Sequence, residues 1–180
     1  EDFSCETLPI HWSYLCNPDS TKYSFSERPG YLRLKASEVN IDDTASPTFV
    51  ARRQTEYNFS ATAEIDFSNL KNGSQAGLTA YAAAHYHYDV EVRARGRKHY
   101  IAANIRIDNS DNTVVEIPVK TRKAFLRITG NRNGYILQYS LDGKKYVDLA
   151  EMGYRPLSTE TLTTTPTDAL SGIKEMRDLK

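Results

Sequence analysis

Between Tyr31 and Leu149 the chain runs through repeated short stretches in which apolar and polar residues alternate, separated by turn-forming residues. A period of two sends successive side chains to opposite faces of an extended strand, so each stretch reads as a strand with one face turned inward. Leu32 and Leu34 alternate with Arg33 and Lys35, and Ala61, Ala63, Ile65 and Phe67 alternate with Thr62, Glu64 and Asp66. The strongest run puts Tyr86, Tyr88, Val90 and Val92 on one face and His85, His87, Asp89, Glu91 and Arg93 on the other. Gly96 permits a turn, and residues Ile101 to Ile107 return; Asn109-Ser-Asp-Asn112, Asn131-Arg-Asn-Gly134 and Asp142-Gly143 mark the turns that follow. The pattern predicts about ten strands and an all-β sandwich of two antiparallel sheets. Phe3, Leu32, Leu34, Ile65 and Phe67 are expected to share its inter-sheet core.

Twelve tyrosines and sixteen threonines strengthen the strand reading, since both types suit a pleated, half-buried surface. The end of the chain differs. Residues 158–168 are Thr-rich and polar, and Asp168 is placed to cap a short helix with Leu170, Ile173 and Met176 on one side. The expected division is a sandwich over 1–160 and a polar tail with that helix over 161–180. Lys and Arg number 23 against 23 Asp and Glu, with a pI near 7.2, which leaves no positive field for nucleic acid. No apolar run approaches the roughly 20 residues a bilayer crossing needs, so no membrane partner is expected. Cys5 and Cys16 are too few for a disulfide scaffold and lack zinc-site spacing; they either close a small loop or stay free thiols. The start, Glu-Asp-Phe-Ser, shows no signal-peptide pattern, and the compartment, cytoplasmic or secreted, stays open.

Several side chains could carry chemistry. Glu64 and Asp66 sit at i and i+2 on one strand, about 6.6 Å apart at the backbone, a spacing that lets two carboxylates approach the separation of a retaining glycosidase pair. Ser68 and Asn69 stand where a third acid would be needed, and two solvated carboxylates are the simpler reading. His85 and His87, with Asp89 beside them, could ligate a metal, yet residues in a row along one strand diverge, and a polar sheet face explains them as well. No metal and no cofactor is expected. Tyr81, Tyr86 and Tyr88 are candidates for a concave platform on which a sugar ring stacks, with His85 and His87 as polar neighbours. The basic run from Arg93 to His99 crosses a turn and reads as a solvated hairpin edge. Of Arg52 and Arg53, one is expected to face inward with an ion-pair partner.

Arg28-Pro-Gly-Tyr-Leu-Arg-Leu34, Ser46-Pro-Thr-Phe-Val-Ala-Arg-Arg-Gln-Thr55, Asn58-Phe-Ser-Ala-Thr62 with Asp66-Phe67, and Ala76-Gly-Leu78 together resemble one domain. It is the C-terminal concanavalin A-like β-sandwich of family 43 glycoside hydrolases, the β-xylosidase and α-arabinofuranosidase group. Asp2-Phe3, Trp12, Asn17-Pro18, Leu137-Gln-Tyr-Ser-Leu-Asp-Gly143 and Leu157-Ser-Thr-Glu160 extend the likeness. The resemblance implies a jelly-roll sandwich whose enzyme family does its chemistry with three acids on a separate β-propeller. It therefore implies a non-catalytic accessory domain supporting a family 43 catalytic propeller, in cis or in trans. The alternatives are an independent carbohydrate-binding module for xylan-type oligosaccharide, and a small glycosidase using Glu64 and Asp66. In the family a late loop sends an aromatic residue toward the active site and a closing strand near Asp2-Phe3 completes a sheet, whereas residues 161–180 hold no aromatic residue. An open edge is thus expected, closed by this tail or by a second copy of the chain in a homo-oligomer.

Overall fold

A computed structural model describes residues 2–4 and 7–158 of the chain. The chain divides into two compact units, Glu1–Thr55 and Glu56–Lys180. The tail beyond residue 158, with its expected helix and edge-closing role, lies outside the described residues, as does Cys5; Cys16 is exposed.

The first unit is built mainly of loops pinned by two short antiparallel pairs. Strand β1 (Trp12–Tyr14) pairs with β4 (Val50–Arg52), and β2 (Tyr23–Ser24) with β3 (Arg33–Leu34). Tyr23 anchors the unit: its hydroxyl accepts from the Phe49 amide at 3.0 Å, and its ring meets Tyr14 edge-on at 5.1 Å. Phe3 stacks at a tilt near Trp12, 6.0 Å away. Phe3 and Leu32 are half-buried, and Leu34 is 45% exposed, so the inward position expected of Leu34 is not found. A two-residue strand has no alternation to fix an inward face. Arg52 and Arg53 are both exposed, so the expected inward arginine is absent, and Asp2 and Phe3 belong to no strand.

The second unit holds the sandwich. Its strands are β5 (Phe59–Asp66), β6 (Gln75–Ala83), β7 (Tyr86–Arg95), β8 (Lys98–Ile107), β9 (Ser110–Val119), β10 (Lys123–Gly130), β11 (Gly134–Ser140) and β12 (Val147–Gly153). They form two four-stranded sheets in the orders β12-β11-β10-β5 and β6-β7-β8-β9, every neighbouring pair antiparallel. Both large sheets come from residues 59–153. Alternation predicted the inward faces of β5 and β7 correctly. Tyr88, Val90 and Val92 of β7 meet Leu126 and Ile128 of β10 and Leu137 of β11 in one buried core, with Ile101, Ile105 and Ile107 of β8 and with Phe67. Each such side chain contributes about 1.5–3 kcal/mol by leaving water. Tyr88 also donates its hydroxyl to the Gly153 carbonyl at 2.9 Å, so the one polar atom it carries inward is satisfied.

Two glycines shape the β6–β9 sheet. Gly96, at φ +60°, makes the tight β7–β8 connection, a conformation other residues rarely adopt. Gly77 on β6 lies so close to β7 that an added Cβ would meet the Val90 carbonyl and the Glu91 backbone. The β8–β9 turn falls at Asp108–Asn109, with Ser110 already in β9, earlier than the predicted Asn109–Asn112. Among the described residues no helix is long and apolar enough to cross a membrane.

Candidate functional site

The outward face of the β6–β9 sheet is the most chemically dense surface of the second unit. Strand register arranges it in rows: Tyr81, His87, Arg106 and Asp111; then Thr79, Asp89, Asn104 and Thr113; then Gly77, Glu91, Ala102 and Glu116. A β-bulge in β9 between Thr113 and Val115 re-aims the last strand and leaves Val114 exposed. His87, Asp89, Glu91 and Asn104 are only 3–7% exposed, although they point away from the core. Buried charges need partners, and here they have them.

Two linked networks supply the partners. His87 Nδ1 lies 3.0 and 2.8 Å from the two carboxylate oxygens of Asp89, and its ring stacks on Tyr81 with centroids 5.9 Å apart. Arg93 is the hub of the second. It donates from Nε and Nη2 to Glu91 Oε1 at 2.7 and 2.6 Å, from Nη1 to Thr113 Oγ1 at 2.7 Å, and from Nη2 to Asn104 Oδ1 at 3.1 Å. Asn104 in turn donates to Asp111 at 2.6 Å, and Arg95 donates to Glu116 at 2.6 Å. Burial pushes the Glu91 carboxyl up to about 7, against the pull of Arg93, with Asp89 and Asp111 adding to the rise. Beside Arg93 the face opens into a shallow polar depression of about 300 Å³, bordered by Gln75, Arg95, Asn104, Asp111 and Thr113.

The residues singled out from sequence are scattered by this geometry. Tyr81 lies on the polar face, and His87 beside it. Tyr86 and Tyr88 lie on the opposite, core-facing side of β7, and Tyr88 is fully buried with its phenol driven up by burial; no three-tyrosine platform exists. The reason is parity: Tyr81 pairs directly across from His87, so it shares the histidine's face and not that of the even-numbered tyrosines. His85 sits in the exposed β6–β7 turn, off the strand, which separates it from His87. Among the described residues no group of three or more His, Cys, Asp or Glu is arranged to hold a metal. Glu64 and Asp66 lie on the outward face of the other sheet. Glu64 is 3.3 Å from Lys123, and Asp66 accepts from the Ser68 amide and hydroxyl at 3.0 and 2.6 Å.

Of the acids that the fold does concentrate, Asp89, Glu91, Asp111 and Glu116, only Asp89 was a candidate, as a neighbour of His85 and His87 at a metal. Asp89 and Glu91 show the same i, i+2 spacing as Glu64 and Asp66. What marked them was their place on the first of three consecutive ten-residue strands, which the sheet order sets between β6 and β8, where neighbours on both sides cover them.

A family model described as the β-xylosidase C-terminal concanavalin A-like domain matches residues 1–167. The chain belongs to that family. It is 33% identical over 140 residues to a non-reducing end α-L-arabinofuranosidase of Bacteroides ovatus, covering 77% of this chain and 26% of the relative. A β-xylosidase of Formosa agariphila is 29% identical over 167 residues, covering 81% and 28% respectively. The crystal structure of a family 43 protein from Bacillus licheniformis superposes with a TM-score of 0.84 at 26% identity, over 91% of this chain and 32% of that one. This C-terminal domain thus spans about a quarter to a third of the length of the relatives it matches. The family 43 catalytic propeller is not in this chain, and the concanavalin A-like reading of the sequence stands.

Proposed function

We propose that this concanavalin A-like domain is the accessory sandwich of a xylan-degrading family 43 xylosidase or arabinofuranosidase and acts by supporting a catalytic propeller in the same polypeptide. The family match over residues 1–167 carries the reading. The state of the acids supports it: Glu91 and Glu116 are paired with arginines, His87 lies against Asp89, and Glu64 and Asp66 are held by Lys123 and Ser68. A nucleophile and a general acid must both face a bound glycoside, and a carboxylate already engaged by a neighbouring side chain is not free to do so.

Two assays test the proposal. The isolated chain, purified free of host glycosidases, is expected to turn over neither an aryl xyloside nor an aryl arabinofuranoside; turnover abolished by Glu64→Gln or Glu91→Gln would instead make it an enzyme. In the full-length protein that the proposal requires, deletion of this domain is expected to lower the propeller's melting temperature and its activity. An unchanged melting temperature and activity would remove the supporting role.

A further inference from the structure

We infer that the depression beside Arg93 on the β6–β9 sheet is a binding site for a neutral sugar residue. The inference goes beyond the accessory role and takes from it only the choice of probes. Three observations carry it. The first is charge balance. Arg93 is held by Glu91, Thr113 and Asn104 and lies 3.5 Å from Glu116, and Arg95 is paired with Glu116, so both arginines at the depression are already answered. An anion would have to compete with buried carboxylates for them, whereas a neutral polyol would not.

The second is the pattern of remaining hydrogen-bonding capacity. Asp111, at the rim, uses Oδ1 for Asn104 and keeps Oδ2 as an acceptor, and the Gln75 side-chain amide on the same rim offers both a donor and an acceptor. Sugar hydroxyls, which both donate and accept, match that mixed set. The third is preorganisation. Arg93, Asn104 and Thr113 are locked to one another at 2.7–3.1 Å, so a ligand meets groups already fixed and need not order them. The volume of about 300 Å³ is at the small end for ligand sites, which limits the occupant to about one or two sugar rings. Tyr100 stands in the next row, across from Arg93 and under the Arg95 guanidinium at 5.5 Å, where a ring edge can rest.

The test is an amide NMR titration of the whole chain with xylohexaose, with an arabino-oligosaccharide, and with glucuronate and sulfate as anionic arms. The expected result is saturable shifts confined to residues 73–75, 93–95, 104 and 111–113 with a neutral sugar, and none with the anions. Asp111→Ala and Gln75→Ala, both surface substitutions, are each expected to weaken binding about tenfold, the worth of one good hydrogen bond. Ser74→Trp, which fills the rim without touching the arginine network, is expected to abolish it, while Glu64→Gln on the other sheet leaves it unchanged. Shifts elsewhere, saturation by sulfate or glucuronate in place of the neutral sugars, or no shifts at millimolar xylohexaose and arabino-oligosaccharide overturn the inference. Each of those results leaves the propeller-supporting role intact, because that role is read from the full-length protein's stability.

Discussion

The two outward faces of the sandwich carry similar residue types and behave differently. On the β6–β9 sheet, Glu91 and Arg93 are 9% and 15% exposed in their side chains and are joined by two short hydrogen bonds. On the β5 and β10–β12 sheet, Glu64 and Lys123 are 34% and 47% exposed and meet at 3.3 Å. On that second face Arg127 donates to Thr62 and lies over the Tyr146 ring, and Gln138 donates to Asp148, contacts made at the rim of solvent. The difference comes from position within the sheet. β7 is flanked on both sides by long strands, so its outward side chains are roofed by their neighbours; β5 is an edge strand, and its polar side chains lie open on one side. The same alternation of polar and apolar residues therefore yields a desolvated ionic layer in one place and a hydrated surface in the other.

The largest expected contrast is in stability. Arg93→Met should cost about 3–5 kcal/mol, because Glu91 would be left buried without its cation, whereas Lys123→Met should cost about 0–1 kcal/mol. Chemical denaturation of both variants reads this, and equal costs would erase the distinction between the faces. Next is the close approach of β6 to β7. Gly77→Ala forces a Cβ against the Val90 carbonyl and should cost about 1–3 kcal/mol, while Gly153→Ala on the other sheet, with open space around it, should cost less than about 1 kcal/mol.

A pH series separates the faces again. Glu91 titrates near 7 in the folded protein and near 4.5 unfolded, so the folded state holds the extra proton. Stability from this group is fully present below about pH 4.5 and is lost as pH rises through about 7, the reverse of a paired surface carboxylate. Glu91→Gln should flatten that fall in melting temperature between pH 5 and pH 8; a profile identical to the parent would contradict it. The smallest effect is at Asp142, whose carboxylate accepts from the Lys144 and Lys145 amides and is lowered to about 2. It stabilises the β11–β12 turn above its unfolded value near 3.8, and that contribution fades as pH falls through about 2; Asp142→Asn should remove this acid-range component and leave the neutral-range profile unchanged.

Much of this was visible in the sequence. Strands β5, β7 and β8, the inward faces of β5 and β7 and the turns at Gly96 and Gly143 follow from alternation and turn chemistry, and the resemblance carried by Arg28–Leu34 and Ser46–Thr55 named the family. Alternation fails where strands shrink to two or three residues: Leu34 looked inward by parity and is exposed, because nothing in Arg33–Leu34 fixes a face. It fails differently at the site. Parity says on which side of β7 Glu91 points, and only the neighbouring strands say whether that side is dry. Glu64 and Asp66 drew attention by spacing, while Asp89 and Glu91, with equal spacing, acquired their burial from Asn104, Arg93 and Thr113, residues up to about two dozen positions away whose approach depends on sheet order.

The most direct measurement is a pair of double-mutant cycles run in one buffer, Glu91→Gln with Arg93→Met on the β6–β9 face and Glu64→Gln with Lys123→Met on the other. The coupling energy is expected to reach about 1.5–3 kcal/mol for the first pair and to stay below about 1 kcal/mol for the second. Equal couplings, or a first-pair coupling near zero, would show that the β6–β9 face is not the buried ionic layer described.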